Sequence, residues 1–395
     1  MSDTDELGRP TVSFDLVDAS VAKDPGPYFD RLRSQCPVAH TSAYDGFWLL
    51  ARYDDVHEAA RNTAVFSSAS GVIIPAPPTP PFMCLEQDEP GHSAFRQPMQ
   101  SWFSPGRVSA LEDRVRTIVT GLIDQFVADG TADLATALAE PVPPIVIAMV
   151  LGLPDADWPW FREKSQGYLK ATAAGDLEAA VADVTLIVGY LGEQLEERRR
   201  HPRDDMLTDV TRIRIDGAAL APDEAVSLTF LILAAGHETT VGALGGMLYH
   251  VARRADVRDR LLADRTLVEP AVEEALRLEP PLPGLGRTVL SDVTVRGVTM
   301  AAGDRVMLLW GSANRDADVF GDPESFRLDR ASNRHLAFGS GIHRCVGAPL
   351  ARLEMRVVLE EVLRRMPRLT LASDAATTVG YATTSRSYRT LPAIW

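Results

Sequence analysis

The chain has 395 residues, 46% hydrophobic and 24% charged, enough for one large core or for two to three ordinary domains. A net charge of −14 argues against a nucleic-acid binder, whose surface must be basic to neutralise phosphate. Cysteines at 36, 84 and 345 form neither a C-x-x-C pair nor an even framework; this argues against a disulfide scaffold and a structural zinc site and fits a reducing compartment.

The acidic start MSDTDELGRPTVSFDLVDAS lacks an apolar h-region, so residues 1–23 are expected to be an N-terminal extension and the protein cytoplasmic, without a membrane anchor. GFWLLARY, near residue 48, reads as a strand. PAPPTPP, Pro75 to Pro81, carries five prolines in seven residues, which precludes helix and central strand; it is a stiff loop, either a connector or a pocket wall. From about Val108 to Met366 most of the chain reads as helix. Residues 109–130 repeat apolar side chains at helical spacing up to a stop at Gly130, and 176–200 do the same and end in cations that suit a helix C-terminus. A third helix, 222–254, opens with Pro222 and two acids. Its residues 225–236 are uncharged, yet the run stops at His237-Glu238, short of the ~20 residues a bilayer requires, so a buried helix is expected. Residues 291–310 read as a strand meander with turns at Arg296-Gly297 and Gly303-Asp304. The expected class is mainly α with a small β region.

Three motifs carry chemistry. In FGSGIHRCVG, Cys345 stands just before the amphipathic run GAPLARLEMRVVLEEVLRRM, where a helix N-terminus together with His343, Arg344 and Arg352 favours a thiolate, the metal-ligating and nucleophilic form. Gly341 and Gly347 would let a flat group approach the sulfur. These features alone do not separate a metal ligand from a nucleophile. Glu274 and Arg277 are three apart on a helix that Pro280 ends; on a surface such a pair is worth only ~0.3 kcal/mol. AGHETT, Ala235 to Thr240, sets the acid Glu238 beside the alcohol Thr239 in an apolar helix, with Gly236 keeping one face thin, and a threonine hydroxyl can bond to the carbonyl one turn back.

In order and spacing these motifs resemble the cytochrome P-450 family of haem-thiolate monooxygenases in its soluble bacterial form. The pattern F-x-x-G-x-x-x-C-x-G is met by Phe338, Gly341, Cys345 and Gly347, the oxygen-helix pattern by Ala235 to Thr240, and E-x-x-R by Glu274 and Arg277. Residues 313–330 are similar to the segment before the haem loop, with Arg330 matching the arginine that joins the E-x-x-R pair. The resemblance implies one haem-binding domain over 24–395, with a long central helix over haem b. It implies Cys345 as axial ligand of the haem iron, and His92, Arg96, Arg287 and His343 as partners of the propionates, with Trp102 bordering the haem. It implies Glu238 and Thr239 as the pair that delivers protons to bound O2, with Glu274, Arg277 and Arg330 structural; His237 stands at the variable position of the motif, to which the resemblance assigns no role.

The implied reaction hydroxylates or otherwise oxidises a hydrophobic small molecule with O2, using electrons from NAD(P)H passed through a separate ferredoxin reductase and ferredoxin. Arg344 and Arg352 are the expected ferredoxin contacts. Pocket residues chosen by position relative to the motifs are Val72, Ile73, Ile74, Phe82, Met83, Leu231, Ile232, Ala235, Leu282, Leu285 and Tyr381 to Thr383. Two other readings share Cys345: a thiol enzyme with His343 as base, which leaves Glu238 unexplained, and a haem-thiolate gas-binding or sensing protein without turnover, which does not need Thr239.

Overall fold

The structure is a computed structural model that describes residues 3–4, 8–15, 18–75, 82–373, 377–382 and 385–395. PAPPTPP beyond residue 75, and Thr383, lie outside the described residues. The chain forms two compact units.

The first unit gathers Met1–Pro81, Leu85–His92 and Glu269–Cys345. Its seven-stranded sheet runs in the order Asp3–Thr4, Pro10–Thr11, Val38–Thr41, Phe47–Leu50, Arg305–Leu308, Leu285–Val289, Phe66–Ser67. Phe47–Leu50 and Arg305–Leu308 pair in parallel, as their position deep in the sheet allows. Both faces of these strands are covered. Trp48, Leu50, Val306 and Leu308 pack with Val56 and Phe320, while Leu49 and Met307 pack with Phe29 and Leu32. That two-sided burial explains why FWLL is an unbroken apolar run instead of an alternating one. Residues expected to be an extension contribute to this unit: Pro10–Thr11 joins the sheet, and Phe14 is buried with its carbonyl accepting from Thr41 Oγ1. The expected meander forms only in part: after the Gly303-Asp304 turn, Arg305–Leu308 joins the seven-stranded sheet instead of pairing with Val298–Met300. Strands Val293–Val295 and Val298–Met300 are joined at Arg296 and Gly297, with φ of 49° and 79°, a left-handed pair that suits a two-residue hairpin turn.

The second unit gathers Phe82–Cys84, Ser93–Val268 and Val346–Trp395 and is mainly helical. Its longest helix, Pro222–Arg253, begins as the sequence suggests: Pro222 occupies the first turn and the Glu224 carboxylate accepts the Ala221 amide at 2.8 Å. By length and composition it could cross a bilayer, yet more than half of its most apolar window is buried inside protein. Helix Val142–Leu151 crosses it so closely that a Cβ on Gly236 would stand 2.9 Å from Ile147. Gly236 is therefore small to admit a neighbouring helix, not a ligand.

Two helix expectations change in detail. The run 109–130 divides: helix Pro105–Ser109 ends, the chain turns at Ala110 and Leu111, and Glu112–Ile123 begins anew and ends with Asp124 as its C-cap, short of the expected stop; Gly130, left-handed, closes only the short 3-10 turn Val127–Asp129. Glu112 anchors that restart through Arg116 and Arg356, and its hydrogen bonds to the two guanidinium groups lower its carboxyl to about 2. Helix Leu177–Arg200 ends in cations as expected, but Arg198 is wholly buried. Its guanidinium donates to Asp205 at 2.6 Å and to the Gly152 carbonyl at 2.6 Å, so it is a core cross-link and not only a partner of the helix dipole.

Candidate active site

Cys345 is the exposed cysteine; Cys36 and Cys84 are buried. Its amide donates to the Phe338 carbonyl at 2.8 Å and closes an eight-residue loop, 338–345, around Gly339 and Gly341 at φ 67° and 73°. Gly341 has a different reason from the one expected. A Cβ there would stand 2.5 Å from the Ala60 carbonyl, so this glycine lets the loop seat on helix Tyr53–Arg61. Helix Ala348–Arg365 follows with Gly347 at its N-cap, five turns long as expected.

The first unit brings several candidates together. The rings of His92 and His343 meet edge to face with centroids 4.5 Å apart, and His92 Nδ1 lies 3.3 Å from Glu89. Arg287 sits mid-strand in Leu285–Val289, only 3% exposed, and donates to the Gly286 carbonyl at 2.7 Å. Burial lowers its guanidinium to about 10, which the charge of Asp88 offsets in part. The second unit begins at Ser93 and holds the rest of helix Gly91–Trp102, with Arg96, half-buried, one turn beyond His92. Trp102, at the end of that helix, has the Arg107 guanidinium 4.1 Å above its ring.

The Glu274–Arg277 pair is buried rather than superficial, both side chains at 0% exposure. Glu274 accepts twice from Arg277 at 2.8 Å, from Arg330 at 2.8 and 3.0 Å, from the Arg327 amide at 2.9 Å and from Asn333 at 3.2 Å. Arg277 spends its other donors on the carbonyls of Asn314, Pro323 and Ser325. Four cation and amide donors on one carboxylate fix the segment 323–333 against helix Val268–Leu278.

In the second unit, helix Pro222–Arg253 is buried continuously from Thr240 to Leu248 and opens just before that run. Ala235 is exposed, Glu238 and Thr239 are half-buried, and Thr239 Oγ1 donates to the Ala235 carbonyl at 2.8 Å, the back-bond the sequence allowed for. Ser385 Oγ reaches the Glu238 carbonyl at 3.5 Å. His237 points elsewhere. It is 6% exposed, its Nε2 has no hydrogen-bond partner among the described residues, and burial lowers its pKa to about 4. Glu354, on helix Ala348–Arg365, is the opposite case, a carboxyl 2% exposed that burial pushes well up.

These two groups tilt the dependence of stability on pH in opposite directions. The folded pKa of His237 lies below the unfolded value of about 6.5, so stability falls as pH drops from there towards 4, by about 3 kcal/mol at most. The folded pKa of Glu354 lies above its unfolded value, so stability is full at low pH and falls as pH rises. Urea titrations should show His237→Leu flattening the acid limb and Glu354→Gln the alkaline limb. Unchanged limbs would refute the assignment.

The pocket candidates are placed unevenly. Val72 is 1% exposed and its carbonyl accepts the Gly286 amide, while Ile74 rests on Gly286; Ile73, Leu282 and Leu285 are half-buried. Phe82 and Met83 are half-buried in the helical unit, and Leu231 is buried. Ile232 lines a groove of about 350 Å³ with Met99, Trp102, Met206, Val210 and Ile213. A larger cleft, about 660 Å³, is lined by Arg33, Arg52, Arg315 and five acids and contains none of the candidate residues. Tyr381 lies on strand Thr378–Ala382. Sequence reasoning missed the polar residues that hold the cysteine loop, Glu273, Asn314, Asn333 and His335, because each is unremarkable until the fold gives it a partner.

The chain matches the family described as cytochrome P450 over residues 174–371. It is 36% identical over 379 residues to cytochrome P450 130 of Mycobacterium tuberculosis, covering 91% of this chain and 93% of that protein. It is 35% identical over 378 residues to the steroid C26-monooxygenase of Mycolicibacterium smegmatis, covering 94% and 93%. Among solved structures, cytochrome P450 CYP109Q5 from Chondromyces apiculatus superposes with a TM-score of 0.88 at 31% identity, covering 97% of this chain and 98% of that one. The thiol-enzyme reading is set aside. With its mainly helical fold, its small sheets and these relatives, the chain belongs to the cytochrome P450 family and is a P450 monooxygenase.

Proposed function

We propose that this monooxygenase oxidises a hydrophobic small molecule in the cytoplasm, with O2 and with electrons delivered from NAD(P)H by a ferredoxin reductase and ferredoxin, and that residues 24–395 act as one haem-binding domain. The carrying observation is the exposed Cys345 thiol on a tightly closed loop, in a chain whose other cysteines are buried. The residues fit the haem that the family uses. The sulfur is open, Arg287 is a buried cation that donates to the Gly286 carbonyl, and the helix Pro222–Arg253 opens at Ala235 within a buried stretch. When bound, haem supplies the O2 activation, and thiolate ligation favours O–O cleavage.

In this reading Cys345 ligates the iron, and His92, Arg96, Arg287 and His343 hold the propionates. Ala235 is exposed on helix Pro222–Arg253. Thr239 Oγ1, its own proton engaged by the Ala235 carbonyl, offers lone pairs that orient a proton donor, and Glu238 supplies the proton. Most of the pocket candidates named from sequence are apolar, Thr383 being an exception, and this supports a hydrophobic substrate. Arg344, exposed, and Arg352, half-buried, are the proposed ferredoxin contacts, so turnover should weaken with salt.

Thr239→Ala tests the central assignment. The variant should keep its haem spectrum and reduce O2, but divert reducing equivalents to peroxide. Product and peroxide measured per NAD(P)H consumed give the answer, and full coupling in the variant would reject the proton-delivery role.

A further inference from the structure

Helix Val268–Leu278 presents two adjacent carboxylates, and each reaches the strand of chain that leads to Cys345. Glu274 holds the Arg327 amide, Arg330 and Asn333 as described. Glu273 lies 3.1 Å from Nε2 of His335, whose side chain is 2% exposed. The other ring nitrogen, Nδ1, is 3.2 Å from the Ala337 amide.

An amide can only donate, so Nδ1 is the acceptor and the ring proton resides on Nε2, directed at the Glu273 carboxylate. The neighbouring amides are taken in turn. Leu336 N–H donates to Asn314 Oδ1 at 2.6 Å, Gly339 N–H to the Leu336 carbonyl at 2.9 Å, and Cys345 N–H to the Phe338 carbonyl at 2.8 Å. The His335 ring also packs beside that of Phe338, with centroids 5.9 Å apart. A side chain anchored at one nitrogen and binding its own segment at the other sets the direction in which the chain enters the 338–345 loop.

We propose that His335, oriented by Glu273, is a positioning residue for the Cys345 sulfur. The inference rests on the reading of Cys345 as the axial ligand, but its first test does not. The ring converts a fixed helix into a fixed loop. Glu273 sets its tautomer, the tautomer captures the Ala337 amide, and that amide fixes Phe338, whose carbonyl holds the Cys345 amide. Its distance from Cys345 in sequence makes it a residue that acts through others.

Four variants separate this from a general packing role: His335→Leu keeps volume and loses both bonds, His335→Asn keeps an acceptor at the δ position, Glu273→Ala removes the orienting carboxylate, and Glu273→Gln keeps a neutral acceptor. The first measurement is amide hydrogen exchange of the peptide 338–346 in the full chain without added haem. Exchange should speed about tenfold in His335→Leu and in Glu273→Ala, return towards the parent rate in His335→Asn and Glu273→Gln, and stay unchanged in helix Tyr53–Arg61. The second is the ferrous–carbonyl Soret band of the haem-loaded protein. His335→Leu should shift part of the band from the far-red thiolate position to that of a weaker ligand, with His335→Asn restoring it. Unchanged exchange in 338–346 overturns the proposal. Faster exchange without a change in the Soret band leaves the loop role standing and refutes the coupling to the sulfur. A parent protein with no thiolate band refutes the axial-ligand reading alone. Should His335→Leu fail to fold, the Glu273 pair decides, because the Glu273 side chain is 28% exposed and its loss leaves no cavity.

Discussion

Glu274→Gln is expected to destabilise the sheet-containing unit by about 3–5 kcal/mol, a large share of the whole stability of a typical domain. Burial pushes the Glu274 carboxyl up, and the hydrogen bonds and charge of Arg277, with help from the Arg327 amide and Arg330, overcome this and leave it below the usual value. Removing that charge strands two guanidinium groups that have almost no access to water, Arg277 at 0% and Arg330 at 6% exposure. Carbonyls of Asn314, Pro323 and Ser325 still accept from Arg277, but they carry no net charge to balance it. A lowered folded pKa also means that this contribution is present above the unfolded value and is lost as pH falls through the folded one. Urea unfolding at pH 7 should show a lower midpoint with little change in slope. A loss under about 1 kcal/mol would mean that the cluster is as weak as a surface ion pair.

Cys345→His is expected to abolish monooxygenase turnover while leaving the fold intact. The bond that closes the loop comes from the backbone amide of residue 345, which the substitution retains, and the thiol is exposed, so no core packing is lost. Imidazole can ligate haem iron but does not push electron density as a thiolate does, and that push is what favours O–O cleavage. The variant should therefore bind haem and give a ferrous–carbonyl band at the histidine-ligated position. Substrate oxidation should fall to background. Unchanged turnover would reject Cys345 as the ligand.

Much of this protein was legible before folding. The helix Pro222–Arg253 is announced by its proline and acids, and the hairpin 293–300 by Arg296-Gly297, because each is a local preference that a few neighbouring residues satisfy. The motif residues were legible for a related reason. Cys345, Glu238, Thr239, Glu274 and Arg277 are side chains whose chemistry is costly in an apolar setting and therefore conspicuous.

What long-range packing decides was hidden. Gly236 and Gly341 each looked like room for a ligand, and each is instead the contact point of another segment, Ile147 in one case and the Ala60 carbonyl in the other. Spacing alone could not tell whether Glu274 and Arg277 lie on a surface; the fold makes them a buried hub with partners more than fifty residues away. His335 carried no signal at all, since its partner Glu273 lies 62 residues earlier in the chain. Local spacing determined the helices, the turns and the identity of the reactive groups. Tertiary structure alone decided which glycines yield to backbone and which charges leave water, because desolvation and close packing depend on neighbours that sequence distance does not reveal.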